Sequence, residues 1–417
     1  MSGDLASLPQ AITLEALGRA FAKATGQSKT PADGSPEHGF LRQAHEDYAA
    51  DETPELGGDD LAGILAKAWN ATMAFASGSE PQITIAPLQA IEAMSTPYDI
   101  VEIIQDDRPF LVDSVMGEMA DAGASVRALF HPIVERDTGR QSVILVVIDP
   151  LPPERREALA HSIRQALDDV HSAVADHDAM SALMERSVAH LEACPGGVDP
   201  EVVAENLAFL RWLNDNHFVF LGARDYDYPR TADGGYEAEA PLGQSGEGLG
   251  VLRDAERTVL RRSSEPAVLT QAMKRQMVLS EPVTVAKANL RSRVHRRAYM
   301  DYVGVKRYGE DGRASGETRY VGLFTAEAYD RAATQVPLIR RKVANALARA
   351  GKAPGSHNEK RLKNILENYP RDELFQIRED ELLEIALGIL HLYDRPRIKT
   401  FTRQDPFDRF VSILAFI

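Results

Sequence analysis

The residues best placed to do chemistry lie in one turn. In "VEIIQDDRPFLVDSVMGEMADAG", Val101 to Gly123, an apolar run leads into Asp106, Asp107 and Arg108, breaks at Pro109 and restarts as an amphipathic segment. Two carboxylates and a guanidinium at the head of a helix suit either proton transfer or the capture of a small charged molecule. The leading N–H groups of a helix beginning at Phe110 have no intrahelical acceptor and can hold a carboxylate. Asp113, in the first turn, already brings negative charge to that end. A satisfied helix start and a ligand site both fit.

No other stretch makes a stronger case. The glycines of "GQSGEGLGVL" (Gly243–Leu252) miss the G-x-G-x-x-G spacing of a dinucleotide loop, and no G-x-x-x-x-G-K-[ST] occurs. His171 and His177 stand six apart among Asp168, Asp169, Asp176 and Asp178. That spacing does not align on one helix face, so a solvated acidic helix end is expected rather than a metal site. His131 and His217 read as packed or edge histidines, and Cys194, the one cysteine, as an ordinary thiol. The carboxylates of "YPRDELFQIREDELLEI", near Arg371 and Arg378, fall at spacings that make surface ion pairs. No catalytic, cofactor-binding or metal-binding residue is assigned within the chain.

"RSRVHRRAYMDYVGVKRYG" interleaves Arg291, Arg293, Arg296, Arg297, Lys306 and Arg307 with Tyr299, Tyr302 and Tyr308. Single-stranded nucleic acid is bound by such a pattern, but a net charge of −15 opposes a polyanionic partner. Strand alternation places these charges on a solvated face. Arg293, Arg296, Arg297, Tyr299 and Tyr302 are therefore expected to form a subunit-contact face.

The elements that position these residues describe an α+β multidomain chain. Helices are expected over Gly39–Ala49 and Asp59–Ala76, the second with Leu61, Ile64, Leu65, Trp69 and Met73 on one face. From Tyr98 to Asp176 the order is β-α-β-β-α, with one continuous strand over "ASVRALFHPIVERD" and a fourth strand missing or displaced. This suits a ferredoxin-like sandwich with helices on one face of an antiparallel sheet. Helical connectors follow, then a second antiparallel sheet from "HFVFLGARDYDY" to "TRYVGLFT", and a helix closed by Gly351. The expected partition is a flexible terminus (1–36), a helical region (37–95), the ferredoxin-like domain (96–178), a connector (179–214), a β-rich domain (215–350), a second connector (351–396) and the start of a further unit (397–417). The final "DPFDRFVSILAFI" reads as a strand cut short. With 44% hydrophobic and 26% charged residues, the composition is that of a soluble globular protein, with no membrane-spanning run and the cytoplasm as expected compartment.

Several ordered stretches resemble the N-terminal half of the large NAD-specific glutamate dehydrogenases of bacteria. They are "RPFLVDSV", "LRWLNDNHFVFLGARDYDY", "HRRAYMDYVGVKRY", "YVGLFTAEAY", "PLIRRKV", "NILENYPRDELFQI" and "DPFDRFVSILAFI". The resemblance implies an ACT domain over 96–178, a PAS-like or ACT-like sheet domain over 215–350 and the start of another ACT-like unit. It implies that NAD and the deamination of L-glutamate belong to a catalytic region outside this segment, which would serve regulation and assembly of a homo-oligomer, a tetramer in the full-length family. On the same resemblance, Asp107, Arg108 and Pro109 match the ACT strand-to-helix loop and Gly123 its helix-end turn. With Asp106 and Phe110 they form the expected ligand loop for an amino-acid effector. Phe110 departs from the pattern, since a glycine or small residue follows the proline in many amino-acid-binding ACT domains. The rival readings are a freestanding amino-acid sensor and a compact enzyme with a site in 215–330, which clustered, perturbed titratable groups in a cleft would favour.

Overall fold

The computed structural model describes residues 12–48, 56–88, 98–193, 197–228, 231, 235–236, 243–260, 270–278, 281–395 and 397–416. Cys194 lies outside them. The chain divides into two compact units, residues 1–171 with 293–297, and 172–292 with 298–417.

The first unit opens with α1 (Leu14–Ala24), α2 (Pro36–Glu46) and α3 (Gly58–Ala74). Side-chain oxygens start the first two: Thr13 accepts from the Ala16 N–H and Ser35 from that of His38, and Pro36 takes the first helical position. There follow β1 (Gln82–Pro87), β2 (Asp99–Asp106), α4 (Leu111–Asp121), β3 (Val126–Phe130), β4 (Ile133–Arg136), β5 (Gly139–Ile148) and α5 (Pro153–Ala175). The sheet is antiparallel in the order β1-β2-β5-β3, with β4 also on β5.

One of the two alternatives for the fourth strand is found, and the expectations taken up after it are corrected. The fourth strand is displaced, because "QITIAP", which precedes the ferredoxin-like region in sequence, pairs along β2 with Ile83 opposite Ile103. The strand expected over 124–137 is split at His131–Pro132, where proline offers no N–H to the ladder, although the register runs on from Phe130–Leu145 to Ile133–Ser142. Helices cover both faces of the sheet, not one. Leu17, Phe21, Phe40, Leu61, Leu65 and Trp69 share a core with Ile100, Ile104, Phe130, Val143, Leu145 and Val147. The alternate residues Val101, Ile103, Ile144 and Val146 point the other way. That face is left for α4 and α5, which bury Val115, Met119, Leu159, Ile163 and Leu167. Residues expected to be a flexible terminus thus include a core helix, with Leu17 and Phe21 fully buried. Met73, expected on the buried stripe of α3, is 37% exposed, and Thr72 is buried in its place.

The second unit contains α6 (His177–Ala193), α7 (Pro200–Trp212), β6 (Phe218–Asp227), β7 (Gly243–Gly250), α8 (Gln271–Val278), β8 (Val283–Arg291), β9 (Tyr299–Tyr308) and β10 (Ala314–Phe324). The strands form an antiparallel sheet in the order β7-β6-β10-β9-β8. The glycine run Gly243–Gly250 is itself β7, and a Cβ on Gly250 would lie 2.1 Å from the Leu221 carbonyl oxygen. After the sheet come α9 (Ala326–Asp330), α10 (Ile339–Ala350), α11 (His357–Glu367), α12 (Arg371–Gln376), α13 (Glu379–Leu390) and the antiparallel pair β11 (Lys399–Gln404) and β12 (Val411–Phe416). Gly351 closes α10 at φ +59°. The segments expected as a second connector and a further unit group with the β-rich sheet in this one unit. An aromatic stack shows why: Phe375 of α12 lies 4.5 Å from Phe324 of β10 and 5.6 Å from Phe209 of α7. His217 is packed as expected, stacked 4.4 Å from Trp212 and bonded through Nδ1 to the Trp212 carbonyl. Among the described residues no helix is long and apolar enough to cross a membrane.

Candidate regulatory site

The strand-to-helix loop of the first unit brings Asp106, Asp107, Arg108 and Pro109 to one open depression of about 660 Å³, with Ser77, Gly139 and Arg140. Its carboxylates are already engaged. Asp106 accepts from Ser77 Oγ at 2.8 Å and the Gly78 N–H at 2.7 Å. Asp107 lies 3.1 Å from the Arg140 guanidinium, and its N–H donates to the Arg140 carbonyl. Gly123 stands apart, ending the helix at φ +62° with its N–H on the Ala120 carbonyl.

Phe110 caps α4 in the left-handed conformation, φ 71° and ψ 4°. A glycine adopts that geometry without penalty, whereas an L side chain strains it by roughly 1–2 kcal/mol. The place where a small residue is the physical choice therefore holds a ring. That ring packs 5.2 Å from His295, whose imidazole lies 2.8 Å from Asp113 and whose N–H donates to Ser114 Oγ. Ser114 Oγ donates in turn to the Phe110 carbonyl. The acid of the first helical turn is thus committed to a histidine. Sequence spacing does not reveal this, because His295 is far along the chain.

Residues 293–297 cover the rest of α4. Arg297 pairs with Glu118, which is 4% exposed, and with Asp121 at 3.3 Å. A Cβ on Gly117 would meet Arg297 Nε at 2.9 Å, so any other residue there would push the Arg297 side chain aside. Arg293 donates to Gln165. The expected subunit-contact face is accordingly corrected. Arg297 is only 14% exposed in its ion pairs, and Tyr302 is fully buried with its hydroxyl donating to Glu317 at 2.7 Å. Of the five residues, Arg296 is exposed and Tyr299 half exposed, its ring 5.7 Å from Phe410.

Beyond Tyr299 the basic, tyrosine-rich stretch is not a solvated face. Asp301, Tyr302 and Lys306 of β9 are buried, as are Arg224, Glu317 and Arg319 on neighbouring strands. Arg224 stands directly opposite Arg319 in the β6–β10 register, and Glu317 opposite Lys306 in the β9–β10 register. Arg319 donates to Glu317 at 2.5 Å and lies 4.0 Å over the Tyr226 ring. Lys287 of β8 bridges Asp301 of β9 at 2.6 Å and Asp372 of α12 at 3.0 Å. Burial raises the Asp301 carboxyl to about 6 and lowers the Lys306 ammonium to about 8. Perturbed groups do cluster in 215–330, but they are enclosed in packing, and none of these lines the larger cavity of this unit.

The acidic helix end is also less solvated than its composition suggests. Asp169 and Asp176 are buried, and Asp176 accepts from Arg253 and the Gly250 N–H. His131 is packed, its ring lying 2.8 Å from Ser142 Oγ, and burial lowers its pKa. Among the described residues no group of three or more histidine, cysteine or acidic side chains is placed to hold a metal ion.

A β-α-β-β-α order on an antiparallel sheet, with a helical region further along the chain, is the arrangement of an ACT-domain α+β protein. The chain matches the glutamate dehydrogenase ACT1 domain over residues 40–164 and the glutamate dehydrogenase helical motif 1 over 336–395. It is 33% identical to the NAD-specific glutamate dehydrogenase of Halomonas elongata over 90% of its length, and 31% identical to that of Pseudomonas aeruginosa over 91%. The corresponding protein of Mycobacterium tuberculosis is 27% identical over 76%. The chain belongs to the bacterial NAD-specific glutamate dehydrogenases, as an N-terminal region of that family. It spans about a quarter of the length of the first two relatives, 24% of each.

Proposed function

We propose that this chain is the regulatory and assembly segment of an NAD-dependent glutamate dehydrogenase and is itself catalytically silent. The parent reaction is L-glutamate, NAD and water to 2-oxoglutarate, ammonium and NADH, with NAD held by a catalytic region outside this segment, in the cytoplasm. The observation that carries the reading is the pairing of ACT1 and helical-motif matches with similarity to dehydrogenases four times longer. The second sheet supports it: its first strand, β6, lies between its second, β7, and its last, β10, which is the order of a PAS-like module. The partners are other copies of the subunit, in a tetramer, together with an amino-acid effector. Nucleic acid and membrane are not among them. The test is the mass of the 417-residue chain in solution alongside an assay for glutamate-dependent NADH formation. A defined oligomer without turnover is expected, and glutamate oxidation by this chain alone overturns the reading.

A further inference from the structure

Residues 293–297 form the turn between β8 and β9, yet they group with the first unit, whereas both strands belong to the second. The neck of the turn is closed within its own hairpin. Arg291 pairs with Tyr299, and the Ser292 N–H donates to the Ala298 carbonyl at 2.8 Å. Beyond that neck the turn is held by α4 and α5. Val294 is fully buried, Arg293 donates to Gln165, and Arg297 pairs with Glu118 and Asp121.

Two observations make this docking more than packing. The first is strain. Among the described residues, five that are not glycine have a positive φ, and two of them touch: Phe110 at 71° and His295 at 64°, ring against ring. An L residue keeps such a backbone only where its surroundings hold it there. Separating the two rings therefore frees both backbones to relax. The second is a shared hydroxyl. Ser114, 1% exposed, accepts from the His295 N–H at 3.1 Å and donates to the Phe110 carbonyl at 2.6 Å. One Oγ thus joins the turn to the residue that follows Asp106–Pro109, the lining of the depression.

We propose that residues 293–297 are a strained latch that reports the state of the strand-to-helix loop to β8 and β9. With the loop as it stands, Phe110 holds His295 and the turn is docked. A change at Asp106–Pro109 that lets Phe110 leave its positive φ withdraws both the ring and the carbonyl, and the turn is released. Release reaches the second sheet through the chain itself, because β9 begins at Tyr299, two residues past Arg297. This deepens the regulatory reading and rests on it for what the loop senses.

The test is hydrogen exchange of the 417-residue chain, followed by mass in the turn, in the loop at 106–112 and in α1 as an internal standard. Ser114→Ala removes the shared hydroxyl and should speed exchange about tenfold or more in both turn and loop, with α1 unchanged. Arg297→Gln opens the turn from its far end, and the loop should follow by about threefold or more, since coupling is reciprocal. Asp107→Ala decides the matter, because Asp107 pairs with Arg140 and not with the turn. The turn should nevertheless exchange about threefold faster or more. A turn that stays protected in Asp107→Ala, or a loop that stays protected in Arg297→Gln, overturns the latch and leaves residues 293–297 as passive cover of α4. Equal acceleration in α1 overturns it too, since the whole unit would then be opening. None of these outcomes depends on oligomer mass or on turnover, so the latch and the regulatory reading fail separately.

Discussion

The two five-stranded sheets of this chain differ in how much charge they bury. In the first, β2 and β5 enclose Val101, Ile103, Ile144, Val146 and their neighbours, apolar on both faces. In the second, the central strands enclose Arg224, Asp301, Lys306, Glu317 and Arg319. The apolar sheet gains most of its stability from buried area and tolerates covers of matching volume. The charged sheet must match its ions one by one, because each buried charge costs several kcal/mol unless it is paired. The first is a scaffold, whereas the second is specified by polar geometry. The chain's two tryptophans allow each to be followed separately, Trp69 in the first unit and Trp212 in the second.

The largest expected effect comes from a buried charge within the apolar unit. Asp99 is fully buried at the start of β2, taking two bonds from Arg156 at 2.7 and 2.9 Å and one from the Leu151 N–H. Asp99→Ala strands a guanidinium and an amide, and should destabilise the first unit by about 3–5 kcal/mol. In a Trp212→Phe background the urea midpoint of Trp69 fluorescence should fall. In the Trp69→Phe background the Trp212 midpoint should hold. Equal shifts in both would mean that the units do not melt separately, and the comparison would break.

Tyr302→Phe makes the corresponding change in the charged sheet. It removes a hydroxyl that donates to Glu317 and leaves a buried carboxylate one bond short. A loss of about 1–3 kcal/mol is expected in the Trp212 reading. A negligible shift would show that solvent reaches Glu317.

These residues also mark what the sequence could and could not disclose. The alternation of "RAYMDYVGVKRY" predicts a strand, and β9 spans Tyr299–Tyr308. Alternation further predicts that one face is wet, and there it fails, since period two separates faces without saying what lies over each. The cover comes from segments distant in the chain: Phe407 lies 5.5 Å from Tyr302, and Asp372 of α12 reaches Lys287. The same limit hid β1. The alternation of "QITIAP" suits a strand, but nothing in it names a partner, because an edge pairing depends on which flank of β2 is open. In the candidate sites the ACT loop was legible by its order of residues, but its engagement by Ser77, Arg140 and His295 was not.

A smaller effect should appear with pH. Burial lowers Lys306 to about 8, below its unfolded value. Between those values the unfolded chain binds more protons than the folded one, so stability rises with pH across that window. The penalty for charging the lysine is fully present below pH 8 and is relieved toward pH 10. Lys342, also lowered to about 8 by burial, acts in the same direction. The Trp212 midpoint should therefore rise between about pH 7.5 and 9.5, by an amount equivalent to roughly 1–3 kcal/mol. Lys306→Met should flatten part of that rise. An unchanged slope would mean that Lys306 reaches water in the folded protein.

The smallest effect on stability, and the sharpest test of the closed loop, is expected from Phe110→Gly. Glycine relieves the left-handed strain of roughly 1–2 kcal/mol but adds freedom to the unfolded chain and gives up the ring contact with His295. These changes oppose one another, so the Trp69 midpoint should move by less than about 1 kcal/mol. Binding then separates two explanations for a closed loop. If the ring alone excludes a ligand, the variant should acquire saturable amino-acid binding that Asp107→Ala removes. If engagement of the carboxylates excludes it, nothing should be gained, because Ser77, Gly78 and Arg140 still occupy Asp106 and Asp107. The second outcome is expected, since deleting a side chain makes room without freeing an acceptor.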